Sequence, residues 1–210
     1  MAAPQRSEHA PGPGEPPYLA ALRRALARMP PPRSTGRPDL RPAAVLVPIG
    51  VGPQGERLVF TRRTERVEYH KGQISFPGGA VDPEDPDRVA TALRESREEI
   101  GLQPQDVEVL GLLEEVPVTR SGFCITPVVG AFRRSPYPFV VNPVEVAEVL
   151  EVPLAWLLEP GHVRVRTLQD LLGRPYLDYA FEWQGHLIWG ATGRILKSLL
   201  DRIREGMQPG

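Results

Sequence analysis

The chain has a single cysteine in 210 residues. That excludes an internal disulfide and a cysteine-rich zinc site. Cys124, set in the run Phe-Cys-Ile-Thr-Pro, reads as a small buried hydrophobe in a strand. Net charge is nearly absent too: 25 lysines and arginines face 26 aspartates and glutamates, for a balance of -1. No global field draws the chain to nucleic acid or an acidic membrane, and no basic stripe with interleaved aromatics is visible. An anionic ligand therefore has to be held by local arrangement. No run approaches the roughly 18 to 20 apolar residues that span a bilayer. A basic flank followed by an apolar stretch is missing from the N-terminus, so a secretory signal is not expected. The sequence-based expectation is a soluble, cytoplasmic protein without internal repeats.

The remaining composition is ordinary for a globular domain, 41% apolar and 24% charged. The length suits one sizeable domain. Many of the 25 prolines fall within the first 42 residues. Residues 1–17, rich in Pro, Gly and Ala, are expected to form a disordered tail. Leu19, Leu22 and Leu26 recur at helical spacing and predict a short amphipathic helix from Tyr18 to Met29. Pro30-Pro31-Pro32 stops it, a polar linker runs to Pro42, and the main domain is expected over 43–206.

Within that domain, apolar runs predict strands at Ala43 to Ile49 and Leu58 to Arg62, joined by the turn Gly52-Pro53-Gln54-Gly55. Ile74-Ser75-Phe76 leads into Pro77-Gly78-Gly79, read as a sharp turn. A helix is predicted over Pro86 to Ile100, with Asp85 as N-cap and Gly101 as a left-handed stop. Further strands are expected at 107–115, 124–133, 144–152, 163–167, 176–182 and 186–189. Short and long helices are expected at 154–158 and 192–204. The irregular interspersion predicts an α/β (α+β) fold, a mixed sheet sandwiched between helices.

The most informative segment is Thr91-Ala-Leu-Arg-Glu-Ser-Arg-Glu-Glu-Ile-Gly-Leu102. At about 100° per residue, Glu99 and Glu98 fall roughly 40° and -60° from Glu95, so the three carboxylates share one arc. Val89, Leu93, Ser96 and Ile100 form the expected inward stripe. Like charges one turn apart cost roughly 0.2–0.5 kcal/mol per pair, and the C-terminal end of a helix disfavours anions by about 0.3–1 kcal/mol each. A divalent cation such as Mg²⁺ or Mn²⁺ reverses both effects. Arg94, one turn before Glu98, can orient it by an ion pair. The bland alternative is a solvated acidic face balanced by Arg94 and Arg97. The loop before the helix shifts the balance, because its adjacent glycines let the backbone approach a ligand and offer a carbonyl.

Together these segments resemble the Nudix box: Gly79 begins it and Arg94-Glu95-Ser96-Arg97-Glu98-Glu99-Ile100-Gly101-Leu102 ends it. Two departures are visible. The first acidic position is Asp85, with eight rather than seven residues before Arg94, and Ser96 replaces the usual aliphatic residue or alanine. The chain is more specifically similar to the coenzyme A pyrophosphatase branch. Thr61-Arg62-Arg63, Gly72, Phe76-Pro77-Gly78-Gly79, Asn142-Pro143-Val144-Glu145-Val146 and Ile188-Trp189-Gly190-Ala191-Thr192 carry that likeness. Glu68 stands where the branch usually has arginine, and Thr64 where it has Ser or Ala.

The resemblance implies metal-dependent hydrolysis of the pyrophosphate of coenzyme A, giving 3′,5′-ADP and 4′-phosphopantetheine. Its implied metal ligands are Glu95, Glu99, Glu98 and the Gly79 carbonyl, with Arg94 beside them. Arg62, Arg63, His70 and Lys71 are candidate substrate contacts, and the general base stays open among these glutamates, Glu145 and Glu148. Trp189 is expected in the core. Two alternatives stand: a Nudix hydrolase of another nucleoside diphosphate derivative such as ADP-ribose, and a non-catalytic nucleotide-binding module. A small-molecule substrate is the expected partner, and a homodimer, with the N-terminal helix as one candidate element, stays open.

Overall fold

The computed structural model describes residues 14–29, 37–64, 72–134, 136–169 and 173–208. The first strand pair forms where expected. β1 (Arg41–Gly52) and β2 (Gly55–Arg63) make an antiparallel hairpin in register from Ile49↔Leu58 to Gly52↔Gly55. Gly55 takes φ 87° at the turn, a conformation that side chains with a Cβ rarely adopt.

Beyond Ile49 and Leu58 the two strands splay apart, and the next segment fills the gap. β3 (Ile74–Ser75) pairs with β2 through Thr61↔Ser75 and Arg62↔Ile74. β4 (Gly78–Ala80) pairs with β1 through Ala44↔Gly79 and Val45↔Gly78. The expected Pro77-Gly78-Gly79 turn is thus an extended wedge, stitched by the Leu46 N–H donating to the Pro77 carbonyl at 2.8 Å. The wedge needs glycine at Gly78: a Cβ there would lie 2.4 Å from the Ala44 carbonyl oxygen.

The wedge is framed by the rest of an eight-stranded mixed sheet. β5 (Glu108–Leu112) and β6 (Val116–Val118) both pair with β7 (Phe123–Phe132), which runs parallel to β1. β8 (Val146–Pro153) runs along the outer edge of β2. The single strand expected over 107–115 is shorter, and β6 was not anticipated: three residues with a central proline give too little periodicity. A second sheet of β9 (Val163–Gln169), β10 (Pro175–Trp183) and β11 (His186–Ile188) follows the short helix α3 (Leu154–Leu158).

Helices cover both faces. α2 (Arg88–Ile100) packs on the face carrying Ala44, Leu46, Val59 and Val128, while α1 (Pro17–Arg28) and α4 (Gly190–Met207) pack over Val47, Ile49, Leu58 and Phe60. The alternation of Leu58 and Phe60 against Val59 is the period of a strand buried on both faces, and each fully buried Leu or Phe contributes about 1.5–3 kcal/mol. Two features lock α1 down. The buried Glu56 carboxylate accepts from the Tyr18 and Leu19 N–H groups at the helix start, at 2.9 and 3.1 Å. Gly206 lets α4 approach so closely that a Cβ there would meet the Ala21 carbonyl oxygen at 1.9 Å. Among the described residues no helix is long and apolar enough to cross a membrane.

Candidate active site

Helix α2 starts two residues later than expected. Its N-cap is Asp87, whose Oδ1 accepts from the Ala90 N–H at 2.8 Å, and not Asp85. Asp85 lies two residues too early for that bond and faces Arg94 instead. The Arg94 fork donates from Nε to Asp85 Oδ1 at 3.0 Å and from Nη2 to Oδ2 at 2.9 Å, a bidentate charge-assisted pair. Chiefly through those bonds, Asp85 is held well below the usual carboxylate range. The remaining Arg94 nitrogen, Nη1, donates to Glu95 Oε1 at 2.8 Å and Glu98 Oε2 at 3.2 Å. Arg94 thus orients Glu95 as well as Glu98, and Asp85 orients Arg94.

The buried side of α2 also differs from expectation. Thr91, Ala92, Ser96, Glu99 and Ile100 are buried, while Val89 and Leu93 are only half-buried. The reason is the wedge. β4 passes so close to the helix that a Cβ on Gly79 would sit 2.6 Å from Glu95 Cδ. Ser96 is fully buried on this helix, its hydroxyl donating to the Ala92 carbonyl at 2.7 Å. Glu99 then lies under the wedge at 3% exposure, accepting a hydrogen bond from the Gly78 N–H.

Such burial of an acid has a cost. Desolvation pushes Glu99 up to about 8, and the charges of Glu95 and Glu145 add to that, partly offset by Arg63. Glu95 is raised for the same leading reason, despite Arg94. Arg63 Nη1 stands 3.9 Å from Glu99 Oε1, and its buried Nε has no hydrogen-bond partner among the described residues.

The other expected site residues are distributed unevenly. Glu98 is exposed and engaged by Arg94 and Arg97. Arg62 points to the opposite face from Arg63, where it donates to Glu148 Oε2 at 2.9 Å; His186 Nε2 is 3.9 Å from the same carboxylate. His70 and Lys71 lie outside the described residues. Trp189, expected in the core, is 40% exposed at the start of α4; its neighbour Ile188 takes the inward position. Cys124 is buried as expected, and its thiol also lies 3.5 Å from Glu115 Oε2. Nothing in the residue pattern marks Asp85 as the partner of Arg94. That role depends on the turn in which the Asp82 N–H donates to Asp85 Oδ2 at 3.0 Å.

Among the described residues no three His, Cys, Asp or Glu side chains converge as a ready-made metal cage. The donor set nevertheless suits a hard divalent cation. Half-buried Glu95 and buried Glu99 are oxygen donors set against a glycine backbone, and both are raised chiefly by desolvation that Arg94 and Arg63 only partly offset.

Known proteins resemble this chain. A NUDIX domain model matches residues 40–166. An uncharacterized Nudix hydrolase, NudL, of Photorhabdus laumondii is 37% identical over 184 residues, which cover 87% of this chain and 96% of that protein. Its counterpart of the same name in Salmonella paratyphi B is 38% identical over 169 residues, covering 80% and 85%. Among solved structures, a MutT/nudix family protein from Enterococcus faecalis shares the fold with a TM-score of 0.51 at 12% identity, over 85% of this chain and 66% of that one. The matched span carries Arg63, the glycine wedge and all of α2, and the chain belongs to the Nudix hydrolase family.

Proposed function

We propose that the chain hydrolyses the pyrophosphate bond of coenzyme A or a derivative, in the presence of Mg²⁺ or Mn²⁺, to 3′,5′-ADP and 4′-phosphopantetheine or its acyl form. The observation that carries the chemistry is the pair of glutamates, half-buried Glu95 and buried Glu99, lying against Gly78–Gly79 with Arg63 beside them. The substrate assignment is supported by the motif shared with the coenzyme A pyrophosphatase branch. Thr61, Arg62 and Arg63 end β2 and Phe76 leads into the wedge; of these motif residues, Arg63, Gly78 and Gly79 lie beside Glu95 or Glu99.

In this assignment Glu95 and Glu99, with Glu98 and the Gly79 carbonyl, hold the cation. Bound there, it would screen the phosphate charge and acidify nearby water. A water oxygen bonds to one phosphorus, the bridging P–O bond breaks with its electron pair leaving on the departing phosphate, and the water's proton passes to a nearby carboxylate or to solvent. Arg63 would meet the phosphates, a role supported by its Nε, which has no hydrogen-bond partner among the described residues. Arg62 takes part only by leaving Glu148. Arg94 keeps Glu95 in place and is itself held by Asp85.

The test compares turnover of coenzyme A and ADP-ribose with Mg²⁺. The expected result is a higher kcat/KM for coenzyme A, and a loss of at least about 100-fold in the Glu99→Gln variant with folding intact. A clear preference for ADP-ribose would defeat the substrate assignment; full activity in the variant would defeat the site.

A further inference from the structure

The segment between Phe139 and Val146 connects the two halves of the site, and Asn142 is its hub. The Val140 N–H donates to the Ile100 carbonyl at 3.0 Å and the Asn142 N–H to the Glu99 carbonyl at 2.8 Å, so the segment runs across the C-terminal end of α2. Its other end is sewn to β2. The Thr64 N–H donates to the Glu145 carbonyl at 2.9 Å and the Thr64 hydroxyl to the Val144 carbonyl at 2.7 Å. Thr64 follows Arg63 directly, so Glu145 is strung between the arginine strand and the glutamate helix.

Asn142 also fixes the direction of the Glu145 side chain. Its Oδ1 accepts from the Val144 N–H at 3.1 Å. That bond settles which end of the amide is which and turns Nδ2 toward Glu145 Oε1, at 3.2 Å. The Glu145 and Val146 N–H groups both donate back to the Asn142 carbonyl, at 3.1 and 2.9 Å. The charge of Glu145 reaches both Glu95 and Glu99. Glu148, three residues later in β8, is instead spent on Arg62 on the opposite face.

We propose that Glu145 is a further carboxylate of the reaction, accepting a hydrogen bond from the attacking water, and that Asn142 is the positioning residue that aims it. This inference rests on the pyrophosphatase reading. Misplacing an aligned group by about 1 Å can cost on the order of 100-fold. Because Asn142 bonds both the last turn of α2 and Glu145, it transmits any shift of one to the other.

A double-mutant cycle tests the idea on the full chain with coenzyme A and Mg²⁺. Glu145→Gln is expected to lower kcat about 100-fold with KM nearly unchanged. Asn142→Ala is expected to lower it about tenfold, and the double variant to match Glu145→Gln alone. Asn142→Asp guards against a merely structural effect. It keeps an acceptor for the Val144 N–H but loses the donor to Glu145, so it should fall at least as far as Asn142→Ala while melting like the wild type. Additive losses in the double variant, or wild-type turnover in Asn142→Asp or Glu145→Gln, would overturn the inference. If the wild type leaves coenzyme A intact but cleaves ADP-ribose, the substrate reading fails and the same cycle on ADP-ribose still decides the role of Asn142. If it cleaves neither, both fall.

Discussion

Glu99 is where the physical cost of this site is most concentrated. Its ordinary value near 4.5 is pushed up to about 8 on folding, chiefly by desolvation. Between those two pH values the folded chain holds a proton that the unfolded chain has released. The stability linked to this group is therefore complete below about 4.5 and is lost as pH rises through 8. Comparing Glu99→Gln with the wild type in chelator isolates the effect. The variant should lose less stability between pH 5 and 8, and at pH 8 should be the more stable protein by on the order of a few kcal/mol. Thermal melts at the two pH values check this, and a variant less stable than wild type at pH 8 would contradict it. The helical spacing of Glu95, Glu98 and Glu99 was legible in the sequence. That Glu99 is buried while Val89 is only half-buried was not, because it depends on a glycine pair from another element passing over the helix.

The loop and helix act as one element, and their division of labour explains the misread start of α2. Asp87 caps the helix and Asp85 anchors Arg94, although from sequence either suits an N-cap. Pro86 between them was read as the first helical residue, whereas the capping bond to the Ala90 N–H requires Asp87. The left-handed stop at Gly101, φ 70°, was legible because few other residues adopt it. Gly79 sits at the contact between loop and helix. Gly79→Ala would place a methyl 2.6 Å from Glu95 Cδ while leaving both caps untouched. Activity is expected to fall about 100-fold with the melting temperature within a few degrees of wild type. Unchanged turnover would mean that the close approach does not position Glu95.

Across the whole molecule, most strands and helices followed from apolar periodicity, and the mixed sheet between helices appeared as expected. What local pattern could not supply was long-range pairing: β1 beside β7 in parallel, and the small β9–β11 sheet standing apart. The partner of the N-terminal helix was equally hidden, since Glu56 lies 38 residues from Tyr18. These pairings hold the β1–β2 splay open for the wedge, and the wedge holds the two glutamates beneath it. This acidic pair is expected to work only with a divalent cation. The most direct measurement is release of 4′-phosphopantetheine from coenzyme A by the wild-type chain, with Mg²⁺ or Mn²⁺ and with chelator, across pH 6 to 9. Product should form only with metal and faster toward alkaline pH; equal cleavage in chelator would contradict the account.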